Sequence, residues 1–243
     1  IINSTDLADK SVMLEEMEDR DLAFRVLMDD TQVVSQELGL NRAGEAVVID
    51  PTSREVVFRG ALSSRQADGS RAERNEAAYV ADALTAVLAG DAAPTNSIAS
   101  KGEAISYPQM AELSYAEDIA PILQERCVTC HVEGGIAPFA MSNHQMVRGW
   151  SPMIRETLIT KRMPPGQIAQ EYVSEFHDVN HITIEETRKL ISWIDSGSPN
   201  SGDSDPLAAY EARPVKWLNG EPDMVIEIPP QQIPATGVQD YRN

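Results

Sequence analysis

Both cysteines of the chain lie in one pentapeptide, Cys127-Val128-Thr129-Cys130-His131. No other feature constrains the fold as tightly. Two thiols at i and i+3 share one helical turn, the spacing that reaches the two vinyl groups of a single porphyrin. The histidine that follows then sits beneath the iron as its proximal ligand. This is the attachment signature of a c-type haem. A covalent tether holds such a group even against a modest apolar core.

Two other chemistries use a Cys-x-x-Cys pair. A redox disulfide needs a strand before the motif, whereas Ile119 to Arg126 reads as a helix. A zinc site needs a second pair of ligands at suitable spacing. His177 and His181 are four apart, but they stand much further from Cys130 than zinc fingers allow. The spacing therefore favours covalent haem c, with Cys127 and Cys130 as thioether anchors and His131 on the iron.

A sixth ligand comes from methionine or histidine, or the position stays open. Met163 is the favoured candidate, in Lys161-Arg162-Met163-Pro164-Pro165-Gly166. The two prolines fix the backbone after it and forbid a helix there, so a rigid loop presents the thioether. His/Met ligation raises the reduction potential and suits electron transfer. Met141, Met146 and Met153 are closer in sequence, and Met146 and Met153 read as pocket packing on a helix. His144, His177 or His181 would give a bis-histidine haem instead, and His177 with His181 could bind a surface metal. Arg155 is a candidate partner for a haem propionate, and Trp150 for the pocket edge.

Around the motif, Val147 to Thr160 and Thr183 to Ile194 read as helices. Thr183 with Glu186 three residues on is a capping-box pattern. Ile184, Leu190, Ile191 and Ile194 would form the inner face of that helix. Ile119, Ile122 and Leu123 are expected to meet Leu190, Trp193 and Ile194. The first 90 residues alternate helix and strand signals. Asp6 to Met17 and Thr31 to Leu38 are helical, and Arg25 to Met28 is a short strand. Ala46–Ile49 and Glu55–Arg59 form a hairpin, and Glu73 to Leu88 is a helix buried through Ala77, Val80, Ala81, Leu84, Val87 and Leu88. Residues 91–110 are a linker, and 203–243 a Pro-rich tail with one strand candidate, Met224 to Ile228.

The chain carries 38 acidic against 20 basic residues, a net charge of −18. Nucleic acid and anionic membrane both need cationic patches, so neither is expected as a partner. No apolar run is long enough to span a membrane. The abrupt apolar start, Ile1-Ile2-Asn3, reads as the middle of a longer polypeptide.

Residues 115–199 resemble the monohaem cytochrome c module of certain bacterial multidomain proteins. The likeness rests on Tyr115-Ala116-Glu117-Asp118-Ile119, the haem motif, Ile136-Ala137-Pro138-Phe139, Arg162-Met163-Pro164-Pro165 and Trp193-Ile194-Asp195-Ser196-Gly197. In that family a thioredoxin-like domain precedes the cytochrome, and a domain similar to copper type II, ascorbate-dependent monooxygenases often follows. Residues Asp29-Asp30-Thr31-Gln32, Val48-Ile49-Asp50 and Val57-Phe58-Arg59-Gly60 resemble the later part of a thioredoxin-like domain. Trp217 to Val225 looks like the lead-in to the copper domain, whose own His cluster is missing.

The resemblance implies an incomplete α/β thioredoxin-like domain over 1–90, lacking its redox Cys motif, followed by an all-α cytochrome c domain over 111–202. It implies haem ligation by His131 and Met163, and electron transfer to a redox partner protein or an adjacent redox domain in a periplasmic or extracellular setting. The alternatives are a peroxidase-like haem enzyme with an open sixth site, and an assembly module with a structural haem.

Overall fold

The computed structural model describes residues 2–4, 10–23, 25–67, 77–108, 112–177, 179–200, 202, 204–210 and 221–227. Among these, five strands precede the last three helices. They are β1 (Ile2–Asn3), β2 (Leu27–Met28), β3 (Glu45–Ile49), β4 (Val56–Ala61) and β5 (Ser97–Ile98). The helices are α1 (Lys10–Asp19), α2 (Val33–Glu37), α3 (Tyr79–Ala89), α4 (Ala120–Arg126), α5 (His144–Ile159) and α6 (Ile184–Asp195). A π-helical turn, Tyr115–Ile119, leads into α4, and a 3₁₀ turn, Gln170–Glu175, lies between α5 and α6.

The expected fold, an incomplete α/β thioredoxin-like domain followed by an all-α cytochrome c domain, is not what the chain adopts. It is a mixed α/β structure, 36% helical, with six α-helices and two small separate sheets. β1 and β2 form a parallel pair two residues long. β3 and β4 form the expected antiparallel hairpin, and β5 joins β4 in parallel. No hydrogen-bonded ladder joins the two sheets among the described residues. The strand signals lie in runs too short and too far apart to build one central sheet.

The two halves also touch. Val33 of α2 packs against the core of the helical part. Arg188 of α6 donates from Nε to the Thr31 carbonyl (3.0 Å) and from Nη2 to the Asp30 carbonyl (2.8 Å). Residues 91–110, expected as a linker, contribute β5 and add bridges at Ser100 and Ala104.

A small core of Val48, Phe58 and Ala83 joins the hairpin to α3. The helix buries Ala83 and half-buries Val80 and Val87, while Leu84 and Leu88 face solvent. The expected face is therefore rotated. α3 starts at Tyr79, and residues 73–76 of the expected helix lie outside the described residues, as do the start of the Asp6–Met17 helix, most of the tail and Ile228. Residues 224–227 form no strand.

The larger core gathers Tyr115, Ile119, Ile122, Leu123, Val147, Ile154, Leu158, Leu190, Ile191 and Trp193, with Ile194 at its margin. The expected meeting of α4 and its lead-in with α6 is thus present. Ile184, expected inside, is exposed at the first turn of α6. Leu207 from the start of the tail also enters this core. Asp205 fixes it there, accepting from the Tyr115 hydroxyl (2.9 Å) and the His144 backbone N–H (2.7 Å).

The capping box on α6 forms as its spacing requires. Thr183 Oγ1 accepts from the Glu186 N–H at 3.1 Å, and Glu186 accepts from the Thr183 N–H at 2.7 Å. The Glu186 carboxylate also takes a forked bond from Arg126 of α4. Burial disfavours its charge, but the Thr183 N–H and Arg126 outweigh burial and hold it below the usual carboxylate range. A group held below its unfolded value stabilises the fold above that value, and the benefit is lost as pH falls through the folded one. Glu186→Gln is therefore expected to lower stability by about 1–2 kcal/mol at neutral pH. In acid, where the wild-type carboxylate is protonated, the gap should shrink. Urea unfolding across a pH series checks this.

Candidate haem-attachment site

α4 ends where its backbone tightens. The N–H groups of Cys127 and Val128 both donate to the Leu123 carbonyl, each at 2.9 Å. Buried Val128 then anchors the turn in the large core. Cys130 and His131 donate back to the Cys127 carbonyl at 3.1 and 3.0 Å. One compact turn thus carries both thiols, which are unpaired with each other and half-buried, together with the imidazole.

The following loop folds back over this turn. Ala137 N–H donates to the Cys130 carbonyl (3.2 Å) and Met141 N–H to the His131 carbonyl (2.8 Å). A Cβ placed on Gly135 would come within 2.5 Å of the Cys130 carbonyl oxygen, so only glycine lets the loop lie this close. The fold-back brings the Phe139 carbonyl to 3.0 Å from His131 Nδ1. In the tautomer that donates from Nδ1, Nε2 keeps its lone pair and the ring plane is fixed. That is the arrangement a metal-ligating histidine uses.

An aromatic ladder extends from the histidine. Its ring lies 4.5 Å from that of Phe139, which stacks on Trp150 of α5 at 4.4 Å and 13°. α5 buries Val147, Ser151, Ile154 and Leu158. One position back on each turn runs a second stripe of Met146, Trp150, Met153 and Thr157. Its methionines are 38% and 51% exposed, and Met163, on the loop after α5, is 39% exposed. Of this stripe, Trp150 is the member tied to the oriented imidazole, through Phe139.

Met163 is held to the end of α5 by its N–H on the Thr157 carbonyl (3.3 Å), and Gln167 donates to its carbonyl (2.8 Å). The helix stops before the prolines, as expected. Trp150 sits at the site through Phe139. Arg155 does not face it: Arg155 pairs with Asp195 of α6 (2.6 Å) and with Glu37 of α2. His144 belongs to the far side of the core, its Nε2 2.8 Å from the Ser198 carbonyl and its ring edge-on to Tyr115. Met141 is buried in the core.

Burial pushes the Cys127 thiol up to about 12, aided by the Glu186 charge and opposed by Arg126. A thiol held neutral is a poor nucleophile for disulfide exchange. Zinc would need thiolates, and among the described residues no three His, Cys, Asp or Glu side chains gather to hold a metal ion. The donor types at the turn are those a covalent haem would use. Cys127 and Cys130 would form the thioethers, His131 Nε2 would take the iron, and the α5 stripe with Met163 would line the opposite face. Sequence reasoning missed Phe139 as the acceptor that orients His131. Its signals were its place eight residues after the motif, behind a glycine pair, and its membership of the Ile136–Phe139 segment.

No family model matches the chain, and no curated protein matches it. No helix among the described residues is long and apolar enough to cross a membrane.

Proposed function

We propose that the chain is an electron-transfer protein carrying one c-type haem, attached through Cys127 and Cys130 and ligated by His131 and Met163. The observation that supports this best is the His131–Phe139 hydrogen bond within the Cys-x-x-Cys-His turn. It fixes the ring and leaves one nitrogen for iron beside two free thiols. When bound, such a haem supplies a one-electron couple, and the rest is positioning by the chain. The two cysteines fix the porphyrin in one orientation. The Phe139–Trp150 stack beside His131 would wall one edge, and the exposed methionines of α5 would help exclude water. Met163 supplies a soft thioether that favours the reduced state.

The partner is a redox protein or an adjacent redox domain, and the setting is periplasmic or extracellular, where covalent haem is assembled. A net charge of −18 suits a partner with a cationic docking face.

Produced with a c-type haem maturation system, the protein is expected to keep its haem through denaturing electrophoresis. Its spectrum should be low-spin, with the charge-transfer band of methionine bound to ferric iron. Met163→Ala should abolish that band and open the sixth position. A colourless protein overturns the proposal. A high-spin spectrum in the parent would favour the peroxidase-like haem enzyme instead.

A further inference from the structure

Five helices end in a left-handed residue, three of them at a glycine: α2 at Gly39 (φ 62°), α3 and α6; α1 ends so at Asp21 (φ 49°). α3 ends at Gly90 (φ 78°) and α6 at Gly197 (φ 92°). At the end of α6, Gly197 N–H bonds the Ile194 carbonyl and Ser198 N–H the Trp193 carbonyl. α5 closes with the same pair of bonds, Lys161 N–H to Leu158 (3.1 Å) and Arg162 N–H to Thr157 (2.9 Å). Here the left-handed residue is Lys161, at φ 53°. Glycine is the usual occupant because a Cβ is strained in this conformation. Asp21 and Lys161 are the two non-glycine residues at these ends, and of the two Lys161 reaches a distant segment with its side chain.

Lys161 Nζ lies 2.8 Å from Asp30 Oδ2. Asp30 is well placed to hold it, because Arg188 of α6 grips the carbonyls of Asp30 and Thr31. The N-terminal segment is thereby pinned to α6, and through Lys161 it is pinned to the loop that presents Met163 two residues later. The other ties on that loop run back to its own helix or stay within the loop: Met163 N–H to Thr157, Arg162 to Glu156 and Thr160, and Gln167 to the Met163 carbonyl. The Asp30–Lys161 pair joins it to a separate part of the chain.

We infer that Asp30, acting through Lys161, is a positioning residue for Met163, so that the N-terminal segment sets how firmly the sixth ligand is held. The inference rests on the haem reading above. The pair is partly exposed, with side-chain exposures of 58% for Lys161 and 27% for Asp30. Its loss should therefore loosen the loop without unfolding the chain.

The test is imidazole titration of the ferric protein, followed by loss of the methionine charge-transfer band. Asp30→Asn is expected to raise imidazole affinity about two- to fivefold, the range spanned by an exposed ion pair. Lys161→Gly should do the same, while its unfolding midpoint stays at or above the parent's. Glu37→Gln breaks the Arg155 pair at the same junction without touching the loop, and should leave imidazole affinity unchanged. If both loop-pair variants bind imidazole like the parent, or Glu37→Gln shifts it equally, the inference is overturned. If the parent itself lacks the methionine band, the haem reading fails first, and the spectrum alone reveals that.

Discussion

Trp193→Ala is expected to destabilise the chain by about 3–5 kcal/mol, the cost of emptying a large buried aromatic site. Trp193 is almost wholly buried within the large core. Its ring stacks on Tyr115 at 5.7 Å and meets the edge of His144 at 5.9 Å. Its indole N–H donates to the Pro199 carbonyl at 2.9 Å, which holds the chain after α6 against the bundle. Tyr115 cannot follow the ring into the vacated space, because its hydroxyl is held by Asp205. Burial and the Asp205 charge push that phenol up, so it stays a donor. Trp193→Phe keeps most of the packing and loses the indole hydrogen bond, so it should fall between the two. Urea unfolding followed by circular dichroism reads all three, and a loss below about 1 kcal/mol for the alanine variant would contradict the assigned core.

Cys127→Ala with Cys130→Ala is expected to remove the covalent haem altogether. The double variant should fold, since the thiols are not paired, both are half-buried, and only Cys127 packs against the margin of the core. Yet it should show no haem stain after denaturing electrophoresis. Any pigment in the native protein would be extractable with acidified organic solvent. A single Cys→Ala leaves one anchor and should give a reduced, partly extractable yield. If the double variant retained pigment through denaturation, the attachment would lie elsewhere.

The parts of the site written in local sequence were legible. The Cys-x-x-Cys-His spacing, the capping box at Thr183 and Glu186, and the helix stop before Pro164 each depend on residues within one turn of each other. The hairpin of β3 and β4 was legible for the same reason, its strands flanking a short turn at Asp50-Pro51. What failed depended on distant partners. Arg155 reads in sequence as a partner for a haem propionate, but Asp195 and Glu37, 40 and 118 residues away, claim it. The division into an α/β part and an all-helical part failed because Val33, Asp30 and Arg188 knit the halves together. Strand signals alone could not foretell two sheets instead of one. The face of α3 was misjudged because small Ala83, rather than Leu84 or Leu88, fits against Phe58 and Val48.

The methionine stripe on α5 has a consequence for handling the polypeptide before its pigment is in place. Like Met224 outside the site, Met146, Met153 and Met163 present exposed thioethers to peroxide, and each conversion of these three to a sulfoxide turns a greasy patch polar. Pigment-free material should therefore gain oxygen mass at these three positions on brief peroxide treatment. The loaded protein should be spared there, and oxidised stock should accept its porphyrin poorly.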